Sequence, residues 1–173
     1  MKKSNKFLFT ILLSFLLSNT LSAQKSKLKI HAVQVGFGGF YFKNKFNESG
    51  GALLIIDLTT SYKSNLFSAS YLNGSEIGII FGSSFSFNEK TIQYGRELNL
   101  KKWIKFELFA GVGSYTQESR NQYIYNGSST SFPLKLNTKF YFTSSFGMGF
   151  NTNYSINDIN DNFSTNLTLH YKF

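Results

Sequence analysis

The chain has 173 residues, with no cysteine, one proline and 14 glycines, and aromatic side chains make up 18% of it. Without a thiol there is no disulfide framework, no cysteine-ligated zinc, no iron–sulfur cluster and no cysteine catalysis. The formal net charge of +9 is a balance that often marks a nucleic-acid partner, but the N-terminal segment argues against one.

Lys2, Lys3 and Lys6 form a basic start, Phe7 to Leu17 is almost continuously apolar, and Leu21-Ser22-Ala23 ends in small residues. That is the layout of a cleaved signal peptide. The apolar run is about 11 residues, whereas a spanning helix needs roughly 20. The expectation is a signal peptide over residues 1–23 and one domain over 24–173. An exported protein has no nucleic acid to bind, and lysines beside anionic lipid account for the charge equally well. No later stretch is apolar enough for a membrane helix, but barrel strands cross a membrane by alternating apolar and polar residues.

From Lys29 onward the period is two almost everywhere. Strand 1, from about Lys29 to Phe42, sets Val33, Val35, Phe37 and Tyr41 against Gln34, Gly36 and Gly38. Strand 2, Gly51 to Tyr62, aligns Ala52, Leu54, Ile56, Leu58 and Tyr62, with Asp57 on the other face. Strand 3 starts at Asn65 and aligns Phe67, Ala69 and Tyr71. Strand 4 lies near Thr91 to Leu98. Strand 5, Trp103 to Tyr115, sets Ile104, Phe106, Leu108, Ala110 and Val112 against Lys105, Glu107, Gly111 and Gly113. Strands 6, 7 and 8 run from Phe132 to Phe142, Phe146 to Tyr154 and Phe163 to Phe173.

Short links at Lys63-Ser64, Asn99 to Lys102 and Thr143 to Ser145 alternate with longer polar ones, such as Thr116 to Ser131. Tyr62, Phe67, Phe142, Phe146, Tyr171 and Phe173 fall beside the short links. Tyr41, Tyr71, Phe132, Tyr154 and Phe163 fall beside the long ones. All have the apolar parity of their strands, and the two groups stand about one crossing apart, roughly 9–11 residues. Aromatic girdles at two membrane interfaces have this arrangement. The expected fold is therefore all-β: an eight-stranded antiparallel up-and-down transmembrane barrel.

This layout resembles the small OmpA/OmpX-type outer-membrane β-barrel proteins. The most specific element is Asn166-Leu167-Thr168-Leu169-His170-Tyr171-Lys172-Phe173, which looks like the C-terminal signal such barrels present to their assembly machinery. The resemblance implies a Gram-negative outer membrane, lipid as a partner, and N and C termini in the periplasm. It does not imply one activity, since the family ranges from structural proteins to adhesins and lipid-modifying enzymes.

Two features fit poorly. Ile77 to Phe87 is too apolar for a solvated loop, and is read as an extension of strand 3, a plug across the mouth, or a further strand pair giving ten strands. Arg96 shares parity with Ile92 and Tyr94, which requires a bulge in strand 4 or a side chain snorkelling at the interface. The bulge is the favoured reading.

The inward parity gathers Asp57, Lys105, Glu107, Lys135 and Lys139, with Arg96 if a bulge turns it inward. A lumen this narrow is filled by side chains, so these charges are expected to form a structural ion-pair network. His31 is placed at the periplasmic end and His170 inward, with no third metal ligand evident. Gly36-Phe37-Gly38-Gly39 fails as a phosphate loop because it lies within a strand. The inward glycines Gly36, Gly38, Gly111, Gly113, Gly147 and Gly149 leave room for barrel closure or for a small cavity. Glu48, Glu76, Glu89, Glu118, Asp158 and Asp161 are assigned to the long loops, and Tyr123 and Tyr125 offer apolar contacts there.

No catalytic residue, cofactor or metal is assigned. The expected function is non-enzymatic: structural, or surface binding of an unspecified ligand through the long loops. The alternatives are a barrel-embedded lipid-modifying enzyme and a soluble lipocalin-like periplasmic carrier.

Overall fold

A computed structural model describes residues 28–43, 48–76, 85–119 and 126–173. Eight strands follow in chain order: β1 (Lys29–Lys43), β2 (Glu48–Tyr62), β3 (Asn65–Glu76), β4 (Phe85–Lys101), β5 (Ile104–Ser119), β6 (Gly127–Tyr141), β7 (Phe146–Asn157) and β8 (Asp161–Lys172). Each pairs antiparallel with its neighbour, and β1 pairs with β8 from Ala32↔Lys172 to Lys43↔Asp161, so the sheet closes on itself. Among the described residues no edge strand remains to expose unpaired amides and carbonyls.

Burial alternates along every strand, and it is inverted. Asp57, Glu107, Lys135 and Lys139 are almost wholly enclosed. On the outside, Ile92 is 72% exposed and Leu108 57% exposed. Water around such a belt would be costly at about 25 cal/mol per Å2 of apolar surface; hydrocarbon is the solvent that suits it. The soluble-carrier reading calls for the opposite pattern.

The aromatic positions all stand on the outer surface: Tyr41, Tyr62, Phe67, Tyr71, Phe132, Phe142, Phe146, Tyr154, Phe163, Tyr171 and Phe173 are each exposed. At the upper level the Tyr41 hydroxyl donates to Glu48 at 2.5 Å and the Tyr154 hydroxyl to Asp161 at 2.9 Å. An apolar ring with a satisfied polar tip suits a membrane interface. The lower ring also includes Tyr94, packed 5.6 Å from Phe67, and Trp103, 6.4 Å from Phe140.

The links differ from expectation on one rim. Two of the four links read as long are short, residues 44–47 and 158–160, because the strands continue above the upper girdle. There the outward face becomes polar, with Asn73, Asn88, Lys90, Ser114, Thr116 and Thr130. A strand standing in water loses the apolar alternation that identifies it in a sequence.

β4 is corrected most. It begins at Phe85 rather than near Thr91, so residues 85–87 belong to the wall, while 77–84 lie outside the described residues. Its register with β5 is unbroken from Phe85↔Ser119 to Asn99↔Lys105, and the only shift falls between Asn99 and Lys101. No bulge therefore turns Arg96 inward; it keeps the outward parity of Ile92 and Tyr94, near the short-link rim. The bulge that does reorient a side chain is in β1, between Ile30 and Ala32.

A lysine placed at mid-belt tests the inverted surface. Leu136→Lys should cost about 2–4 kcal/mol in denaturant unfolding from lipid, and Thr130→Lys, above the girdle, within about 1 kcal/mol. Equal small costs at both positions would contradict a lipid-facing belt.

Candidate functional site

The inward faces fill the lumen in layers. Midway, Lys135 forms an ion pair with Asp57. The Asp57 carboxylate also accepts from Thr59 at 3.0 Å, Ser68 at 3.0 Å and Ser70 at 2.8 Å. Lys135 donates to the same two serines at 2.7 and 2.9 Å, and its ammonium lies 4.5 Å from the Phe109 ring centroid. A buried ion pair survives only when its remaining hydrogen-bonding capacity is met, and here three hydroxyls and a ring face meet it.

Towards the short links, Lys139 donates to Glu107 at 2.7 Å and Asn137 donates to the other Glu107 oxygen at 3.0 Å. Lys105 pairs with Glu97 at 2.9 Å. A ladder of amides continues around the wall, from Asn166 to Asn151 at 3.2 Å and from Asn151 to Asn137 at 2.7 Å. The five inward charges thus fall into two groups, Lys135 with Asp57, and Lys105, Glu107 and Lys139 with Glu97.

The β1 bulge brings His31 into the second group. By strand parity it belongs on the apolar face, but two successive residues of a bulge share one side, and both His31 and Ala32 turn from lipid. His31 Nε2 lies 3.2 Å from Glu97 and 3.5 Å from Glu107. His31, Glu97 and Glu107 thus offer ligand atoms within 4.8 Å of one another, where the sequence offered no third ligand beside the two histidines. Lysine ammoniums already neutralise both carboxylates, so the trio is accounted for as an ion-pair network. His170 stands apart, packed edge-on against the Tyr141 ring at 4.7 Å.

Above the ion pairs, Glu89 is fully buried and accepts from Ser155 at 2.5 Å. This corrects its assignment to a surface loop; the cause is the early start of β4. The top of the lumen is aromatic. Phe42 packs 4.4 Å from Phe85, Phe40 packs edge-on 4.9 Å from Phe87, and Phe87 stacks on Tyr115 at 5.3 Å. Ile159, from the β7–β8 link, covers this cluster. Asn157 draws the link inward by accepting from the backbone amides of Ile159 and Asn160, both at 3.0 Å.

The inward glycines are not lined up around a void. A Cβ on Gly36 would meet Thr168 and Ile55, and one on Gly147 would meet His170. Gly74 and Gly95 seat the Phe87 and Phe109 rings. Tyr123 and Tyr125 fall outside the described residues.

No protein-family model matches the chain, and no curated protein matches it. Solved structures do. Neisserial surface protein A is 12% identical with a TM-score of 0.69, over 85% of this chain and 99% of that one. The present chain has the fold of the small eight-stranded outer-membrane β-barrels. Ail, the attachment invasion locus protein of Yersinia pestis, in complex with the heparin analogue sucrose octasulfate, is 11% identical with a TM-score of 0.62, over 87% and 100% of the two chains. The N-terminal β-barrel domain of Pseudomonas aeruginosa OprF gives 13%, 0.62, and 85% and 100%. The outer-membrane barrel is thus shared at the level of fold.

Lys135→Met strands the buried Asp57 charge and should cost about 3–5 kcal/mol of unfolding free energy, much of it recovered by adding Asp57→Leu. A loss below about 1 kcal/mol for Lys135→Met would mean that the pair behaves like an exposed one.

Proposed function

We propose that the chain is a non-enzymatic protein of a Gram-negative outer membrane that acts through the rim bearing the 77–84 and 120–126 links, with both termini in the periplasm and the C-terminal segment, β8 with Phe173 after it, engaging the assembly machinery. The observation that carries the reading is the filled lumen. An aromatic cap, buried ion pairs and an amide ladder occupy the interior, and the wall faces lipid. Chemistry available to a ligand outside the cell is then concentrated where β4, β5 and β6 stand above the upper girdle. The same contacts also brace the barrel, which supports a structural role in the envelope as part of the same reading.

A lipid-modifying enzyme of the barrel wall would set a serine–histidine pair facing lipid near the outer leaflet. The chain's two histidines both sit at the short-link end and face inward, which disfavours that alternative. The Yersinia protein was solved with a sulfated ligand; here Glu48, Glu118, Asp158 and Asp161 are exposed on the upper rim, so polyanion binding is not carried over.

The test compares cells displaying the full chain with cells displaying a chain whose 77–84 and 120–126 links are cut to Asn-Gly turns. We expect both barrels to insert equally, and the cut one to lose the surface adherence that the full chain confers. Adherence retained by the cut barrel would contradict the rim as the binding element.

A further inference from the structure

The opposite rim carries a different feature. Between the β4–β5 link, the β6–β7 link and the end of β8 lies a recess of about 530 Å3. Lys101, Lys102, Lys105 and Lys172 line it, with Tyr141 and Thr143, and its lining includes no carboxylate. We infer that this short-link mouth of the lumen binds a phosphate group, carried either by a lipid headgroup or by free phosphate.

Charge is the first argument. Glu97 pairs with Lys105 at 2.9 Å from the lumen side, yet Lys172 lines the same recess as Lys105. Two ammoniums in one recess repel one another, and an anion between them and the Lys101-Lys102 pair would relieve that repulsion. Lysines serve as point-charge partners of phosphate.

Donor inventory is the second. The Tyr141 hydroxyl is buried and has no hydrogen-bond partner among the described residues, although buried polar groups are ordinarily paired. Thr143 Oγ1 accepts from the backbone amides of Ser145 and Phe146 at 3.3 and 2.9 Å, which leaves its own proton to donate. Ammoniums, a phenol and a hydroxyl all offering protons match a ligand whose oxygens only accept. A metal cation would find no anionic ligand in this lining.

The recess is held by the framework rather than by one loop. Tyr141 N–H donates to the Trp103 carbonyl at 2.9 Å, and Lys172 N–H donates to the Ser145 carbonyl at 2.7 Å. These bonds tie both links and the β8 end together. The inference does not depend on what the opposite rim binds.

Trp103 is the one tryptophan in the chain, and the Lys101 ammonium lies 5.6 Å from its ring, so its emission reports on the recess. The full chain, folded in zwitterionic detergent, is titrated with sodium phosphate at constant ionic strength against a sodium chloride control. The same protein is then placed in vesicles of phosphatidylcholine with and without phosphatidylglycerol. A saturable emission change with sodium phosphate supports the inference with a soluble source; a change only with phosphatidylglycerol supports it with a lipid headgroup. In either case Lys102→Gln with Lys172→Gln should weaken binding by about tenfold or more. Tyr141→Phe, which alters no charge, should weaken it several-fold. Migration shifts on boiling check that each variant is folded, and if the lysine variant is not, Tyr141→Phe decides. A response no different from that to chloride, or saturable binding that the folded variants leave unchanged, overturns the inference.

Discussion

A backbone amide in hydrocarbon has no water to bond, and each one left unpaired costs several kcal/mol. The rest of this molecule depends on meeting that constraint. Pairing β1 with β8 removes both edges of the sheet at once, and the unbroken register from Ala32↔Lys172 to Lys43↔Asp161 runs through the whole apolar belt. Once the wall is closed, side chains alternate between lipid and lumen with no third option. Every inward position must then fit a narrow interior, and every outward one must suit lipid or an interface.

The lumen shows how that second demand is met with charged residues. Lys135 and Asp57 neutralise each other and share Ser68 and Ser70 as common hydrogen-bond partners. Glycines sit where large rings need space, as Gly95 does beneath Phe109. The polar core thins upward into Phe40, Phe42, Phe85, Phe87 and Tyr115, so the interior changes from ion pairs to aromatic packing along one axis. That gradient separates the two rims chemically. One end is a sealed aromatic cap under extended polar strands; the other is a basic mouth bounded by short links.

Much of the wall was legible because a half-lipid surface imposes a period of two. β8 reads without ambiguity, since Phe163, Leu167, Leu169, Tyr171 and their alternating polar partners leave one register open. Legibility failed where inward residues are themselves apolar. Phe85 and Phe87 look like loop hydrophobics until they are seen packing across the lumen, and with them went the true start of β4 and the burial of Glu89. It failed again at His31, because a bulge reverses parity without leaving a sequence mark. Glu97 was overlooked beside Arg96, although its parity with Gln93 and Gly95 places it inward. Above the upper girdle, strands surrounded by water carry polar residues on their outward face and read as loops.

Closure of the wall in a membrane can be tested on a semi-native gel. The full chain is extracted from the membrane fraction with detergent and run with and without boiling. A closed, hydrogen-bonded barrel resists the detergent until heated, so the band should shift on boiling and should be absent from the soluble fraction. A protein recovered without detergent, and migrating identically before and after boiling, would contradict a closed transmembrane barrel.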